Sequence, residues 1–158
     1  MGTRSTIALE FADGTVGSIY CHWGGYLSYN GRILLESYSD PNKVRELIDL
    51  GDMSSLAPEV GTKHEFSNPH PRGTDEYREY EKLVETMCTF YGRDRGEENT
   101  GAKYHKDYEA YTQDLDYQEF NYILRNIDGQ AVWFVDHWDS EGFKPLKELY
   151  EAEKETQE

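Results

Sequence analysis

Two Asp-Gly pairs, each set between segments of strand composition, constrain this chain more than any other feature. The first, Asp13-Gly14, joins residues 6–11 to residues 16–23, and Asp-Gly flanked by such segments is the strongest short-range signal of a β-hairpin. The second, Asp128-Gly129, lies between a strand expected over 117–125 and a returning strand over 131–138. His22-Trp23 follows the first pair at the interval at which His137-Trp138 follows the second. Two similar hairpins of one sheet, with Trp closing the core at equivalent ends, account for this echo. The sharper alternative is one cleft floored by both His-Trp pairs.

Helix signals fill the space between the hairpins. Asp40 followed by Pro41 is an N-cap with proline at the first helical position, and Val44, Leu47 and Ile48 recur at helical spacing until Gly51, which predicts a helix over 41–50. Ile33, Leu34 and Leu35 mark a shorter one over 31–38. Residues 52–74 hold three of the five prolines and little periodicity, so they read as one long loop, a length that usually means function or mobility. Tyr77, Tyr80, Val84 and Met87 then share a helical face, while 86–91 has strand composition, giving a helix that passes into a strand. A second polar loop over 92–106 and a short helix near 107–115 lead to the second hairpin. Pro145 opens a last amphipathic helix carrying Leu146, Leu149 and Tyr150, before an acidic tail from about residue 151. The expectation is a single α+β domain over 1–158, with an antiparallel sheet of four to five strands built from the two hairpins and with three to five helices.

Composition narrows what such a domain does. A chain of 158 residues with thirteen tyrosines can bury a core without disulfides or metals. Its two cysteines, Cys21 and Cys88, form no CxxC pair and read as reduced cytosolic thiols. No apolar run approaches the ~18 residues of a membrane helix, and the first residues lack the layout of a secretory leader, so a soluble, cytoplasmic protein is expected. The net charge of -15 is uneven: residues 75–158 hold twenty-two acids against ten bases, residues 1–74 nine against six. Such a field repels nucleic acid and anionic lipid and attracts basic protein surfaces.

His22, His64, His70, His105, His137 and the two thiols have no ligand spacing, since adjacent Cys21 and His22 point to opposite faces of a strand; no metal or cofactor is expected. A nucleophilic pair of Cys21 or Cys88 with His137 would need an electropositive setting, which this chain does not offer. No GxSxG, Walker, GxGxxG or HExxH motif occurs, and no catalytic residues are assigned. Arg93 and Arg95, in the turn-rich stretch 91–97, could grip a phosphate or carboxylate, with Trp23 or Trp138 for stacking a nucleotide base; Asp94 and Glu97 could equally neutralise both arginines in place. Glu97, Glu98, Asp107, Glu109, Asp114, Asp116 and Glu119, interleaved with Tyr104, Tyr108, Tyr111 and Tyr117, form the most unusual stretch. Carboxylates spread over a folded face imitate a phosphate array and fit a basic groove; otherwise they are a solvated surface.

The segments Thr3-Arg4-Ser5-Thr6-Ile7, Asp13-Gly14-Thr15-Val16, Ile19-Tyr20-Cys21-His22-Trp23, Asp40-Pro41, Leu50-Gly51-Asp52 and Tyr91-Gly92-Arg93-Asp94-Arg95-Gly96-Glu97 resemble a group of uncharacterised small proteins of tailed bacteriophages and bacterial mobile elements. The resemblance covers the first sixty residues best, then the arginine stretch. It implies a phage or prophage source in a bacterial host cell and no particular activity, and it does not extend to the acidic 97–119 segment. Together these features point to a non-catalytic inhibitor that blocks a basic host protein concerned with defence or nucleic acid, without binding nucleic acid or membrane itself. A small-anion or nucleotide binder at Arg93 and Arg95 is the alternative.

Overall fold

Ile7, Ala8 and Leu9 are consecutive residues of one strand and all are buried, which requires cover on both faces of the sheet. The computed structural model, which describes residues 3–114, 119–137 and 142–156, shows how that cover arises. Strands β1 (Ser5–Glu10) and β2 (Val16–Cys21) form the first hairpin. A π-helical turn (Leu27–Gly31) then runs into α1 (Arg32–Ser37) and α2 (Pro41–Leu50), followed by β3 (Met53–Ser55), α3 (Asp75–Glu85), β4 (Thr89–Phe90), β5 (Lys103–His105) and α4 (Tyr108–Gln113). Strands β6 (Phe120–Ile127) and β7 (Gln130–His137) form the second hairpin, and β8 (Lys144–Pro145) and α5 (Leu146–Thr156) end the described chain.

The helix starts follow from their caps. Asp40 accepts from the Asn42 N–H ahead of Pro41, Thr74 from Tyr77 and Asp107 from Ala110, so each satisfies an N–H that the first turn leaves without a partner.

Both expected hairpins are present, but the expected purely antiparallel sheet of four to five strands is not. Among the described residues the sheet has eight strands, in the order β4-β3-β2-β1-β6-β7-β8 with β5 also on β2, and it is mixed. The hairpins meet through their first strands, which run in the same direction from Ser5 opposite Phe120 to Leu9 opposite Leu124. β2 is extended at one end by β3, in parallel, and at the other by β5, antiparallel. The expected loops over 52–74 and 92–106 contain β3 and β5, strands of three residues that show no period of their own.

One face of the sheet packs Ile7, Leu9, Ile19, Tyr122, Leu124, Trp133 and Val135 against Ile33 and Leu34 of α1, Val44, Leu47 and Ile48 of α2, and Leu146 of α5. Polar tips in this core are satisfied: Tyr38 Oη donates to the Ala57 carbonyl, Trp133 Nε1 to the Tyr38 carbonyl, and Tyr122 Oη to the Gly25 carbonyl. The opposite face carries a smaller cluster of Ala8, Val16 and Ile123 under Tyr111 of α4. α3 has no buried residue and lies outside both layers.

Candidate functional site

The arginine stretch folds around Asp94, whose side chain is fully buried. One carboxylate oxygen accepts from the His64 N–H at 3.0 Å and from Arg93 Nε at 3.0 Å. The other accepts from the Phe90 N–H at 2.8 Å and from Arg93 Nη2 at 3.2 Å. The remaining Arg93 donors reach the Val60, Gly61 and Cys88 carbonyls, and its guanidinium lies over the Phe90 ring. Arg93 therefore clamps residues 60–61 to β4 and has no fork left for an anion. Arg95 is more exposed, lies 3.7 Å from Glu97 and stacks over Phe66.

The acidic residues form a belt rather than one face. Thr100 O accepts from the Asp52 N–H, which places Glu97 and Glu98 near the end of α2. From there the chain turns along the β2 edge as β5 and crosses to the opposite face as α4. Glu98, Glu109, Asp114 and Glu119 are exposed along that path, and Asp107 uses one carboxylate oxygen to cap α4. Asp116 lies outside the described residues, as do Leu115 and Tyr117. Of the interleaved tyrosines, Tyr111 is buried, Tyr108 is half-buried under Arg125, and Tyr104 stands 63% exposed.

His22 and His137 do not share a cleft. Register places Cys21, Ser5, Phe120 and His137 in one row across four strands, so the two ends are about 14 Å apart. Alternation then puts His137 on the face of Cys21 and His22 on the other. The cause is the turns: residues 11–15 connect the first hairpin, whereas Asp128 and Gly129 alone connect the second, and the odd difference flips the parity. His22 accordingly contacts Tyr20 Oη at 2.7 Å on its own face, and His137 lies against Phe120. Trp23 is 48% exposed and does not close the core; Trp138 lies outside the described residues.

Neither thiol is positioned to act as a nucleophile. Both are buried, and burial pushes the Cys21 thiol up to about 12 and raises that of Cys88 as well. Ser18 Oγ is 3.4 Å from His105 Nε2, and His105 Nδ1 is 3.6 Å from Asp114, the order of groups in a hydrolase relay. Ser18, however, stands in a strand paired on both sides, where the neighbouring backbone N–H groups belong to the ladder instead of to an oxyanion. Among the described residues no group of three or more His, Cys, Asp or Glu is placed to hold a metal, and no helix is long and apolar enough to cross a membrane.

Asp52 is a carboxylate whose ionisation works against the fold. It accepts from the Tyr20 N–H at 2.8 Å, yet burial raises its pKa above the usual carboxyl range. A raised folded-state pKa favours folding below the unfolded value and loses that advantage as pH rises through the folded one. Asp52→Asn, which keeps an acceptor for Tyr20, is therefore expected to melt above the wild type at pH 7, with the gap closing towards pH 3. Equal melting temperatures at both pH values would contradict this assignment.

A cavity of about 450 Å³ beside α2 is lined by Tyr104, which the sequence singles out only as part of the acidic stretch, and by Phe11, Arg45 and Asp49, which it does not single out. The only hint was Gly17, because a side chain there would press against Ile48, Phe11 and Tyr104. No family model, curated protein or solved structure matches the chain.

Proposed function

We propose that this protein is a non-catalytic inhibitor of phage type that covers a basic surface on a host protein, most directly one that handles nucleic acid. The carrying observation is the acidic belt: exposed carboxylates on successive segments from Glu98 to Glu119, within a half-chain of twenty-two acids and ten bases. Carboxylates at several heights around an edge suit a groove that tracks a polyanion better than a flat patch would. Among the described residues, Arg93 is committed to Asp94 and Arg125 to Glu10. The alternative at Arg93 and Arg95 retains only Arg95, because the Arg93 donors are all engaged.

The test is affinity capture from host lysate at low and high salt, with competition by duplex DNA, followed by the same capture with Glu98→Lys, Glu109→Lys and Asp114→Lys combined. A stoichiometric partner displaced by DNA, weakened steeply by salt and lost by tenfold or more in the reversed variant is the expected result, with magnitude on the order set by screened charge pairs. Binding that survives both salt and charge reversal would remove the proposal.

A further inference from the structure

We infer that the cavity between α2 and the first hairpin is a binding site for a guanine base carried by an uncharged nucleoside. This goes beyond the proposed protein contact and stands on other residues. Phe11 and Tyr104 stack with ring centroids 6.4 Å apart, and the pair sits over Gly17, where a Cβ would come 3.1 Å from each ring. The platform is therefore fixed by the absence of a side chain beneath it. Tyr104 leaves most of its surface open, so a face of its ring is accessible for stacking.

The groups around the platform are a donor and acceptors. Arg45 lies over the Phe11 ring, 5.6 Å from its centroid, and among the described residues it has no hydrogen-bond or ion-pair partner, so its fork of N–H donors is free. Asp49 lies one turn further along α2 and lines the same cavity. Asp13 uses Oδ1 to accept from the Thr15 N–H and hydroxyl, leaving Oδ2 for another donor. A guanidinium fork and a carboxylate beside an aromatic platform complement guanine: O6 and N7 accept from arginine as a pair, and the N1–H and N2 amine on the adjoining edge donate to a carboxylate. Adenine offers an amine beside N7 and cannot accept from both arms of the fork. The volume is in the range of small-ligand sites.

Charge decides against a phosphate. Two carboxylates against one arginine line the cavity, and the chain carries -15 overall, so a nucleotide or a polynucleotide meets repulsion that a nucleoside does not.

Guanosine, adenosine, GMP and a short guanine-containing single-stranded oligonucleotide should be titrated into the full chain, with the ring resonances of Tyr104 and Phe11 followed by NMR. Guanosine is expected to give saturable shifts, adenosine to bind about tenfold more weakly or less, and neither GMP nor the oligonucleotide to bind more tightly than guanosine. Arg45→Gln and Asp49→Asn, both at exposed positions, should each weaken guanosine by about tenfold with the melting temperature unchanged. Absence of saturable shifts, equal binding of adenosine, tighter binding of GMP or the oligonucleotide, or wild-type affinity in both variants would each overturn the inference. Because the belt variants leave this cavity intact, guanosine binding and capture of a protein partner fail independently.

Discussion

Asp94→Ala is expected to destabilise the protein by about 3–5 kcal/mol, the loss typical when one member of a buried ion pair is removed and the other stays. Four N–H groups converge on the carboxylate, two from backbone and two from Arg93, and in the variant all four face a methyl group. Arg93 cannot leave, because its other donors hold the carbonyls of Val60, Gly61 and Cys88. The guanidinium would stay desolvated with neutral partners alone, and the His64 and Phe90 N–H groups would lose the acceptor that joins them. For a chain of this length the cost corresponds to a fall in melting temperature of roughly 10 °C. Arg95→Ala, two residues from Arg93 and largely solvated, is the control, expected within about 0.5 kcal/mol of wild type. Thermal and denaturant unfolding of both variants measures the contrast. Comparable stability of the two would show that the cluster does not organise the arginine stretch.

That contrast also shows what was legible beforehand. The sequence offered Asp94 and Glu97 as groups that could neutralise the two arginines, and the structure pairs Asp94 with Arg93 and Glu97 with Arg95. It could not reveal that one pair is buried and the other exposed, because that depends on residues 60–64 folding back over β4 from thirty positions away. Local signals were otherwise readable. Asp40-Pro41 and Gly51 bound α2, and both Asp-Gly turns connect the strands they were expected to connect.

The mixed sheet had a trace in the sequence. Ile7-Ala8-Leu9 and Tyr122-Ile123-Leu124 are consecutive apolar residues, not alternating ones, the pattern of strands buried on both faces at the middle of a sheet. Such a pattern implies neighbours on both sides, and β1 and β6 are those neighbours. β3, β5 and β8 left no trace, since strands of two or three residues form only where an existing edge offers them partners. Tyr104 and Arg45, fifty-nine positions apart, meet for the same reason: β5 docks on β2 beneath α2.

Gly51 lies where the segment leading into β5 meets the end of α2, and Gly51→Ala is the second change expected to have a large effect. Gly51 caps α2 with φ 90° and ψ -157°, a region that residues with a side chain almost never occupy. An added Cβ would overlap the Thr100 carbonyl oxygen, which accepts from the Asp52 N–H at 2.7 Å and ties the start of the acidic belt to the end of α2. Backbone strain of about 1–3 kcal/mol combines with that overlap, so the total loss is about 3 kcal/mol or more. Gly73→Ala separates the two causes. Gly73 also has a positive φ, 86°, but an added Cβ there meets nothing within 4 Å, so only the conformational cost remains, about 1–2 kcal/mol. The excess of Gly51→Ala over Gly73→Ala reports the contact with Thr100 together with the difference in backbone strain between the two sites. If that contact positions the belt, the amides of β2 that face β5 will also exchange faster in Gly51→Ala and not in Gly73→Ala, because relieving the overlap moves residues 100–105 off the β2 edge. Equal stability losses with unchanged exchange along β2 would mean that β5 is held by its own ladder alone, and that the belt keeps its place without the cap of α2.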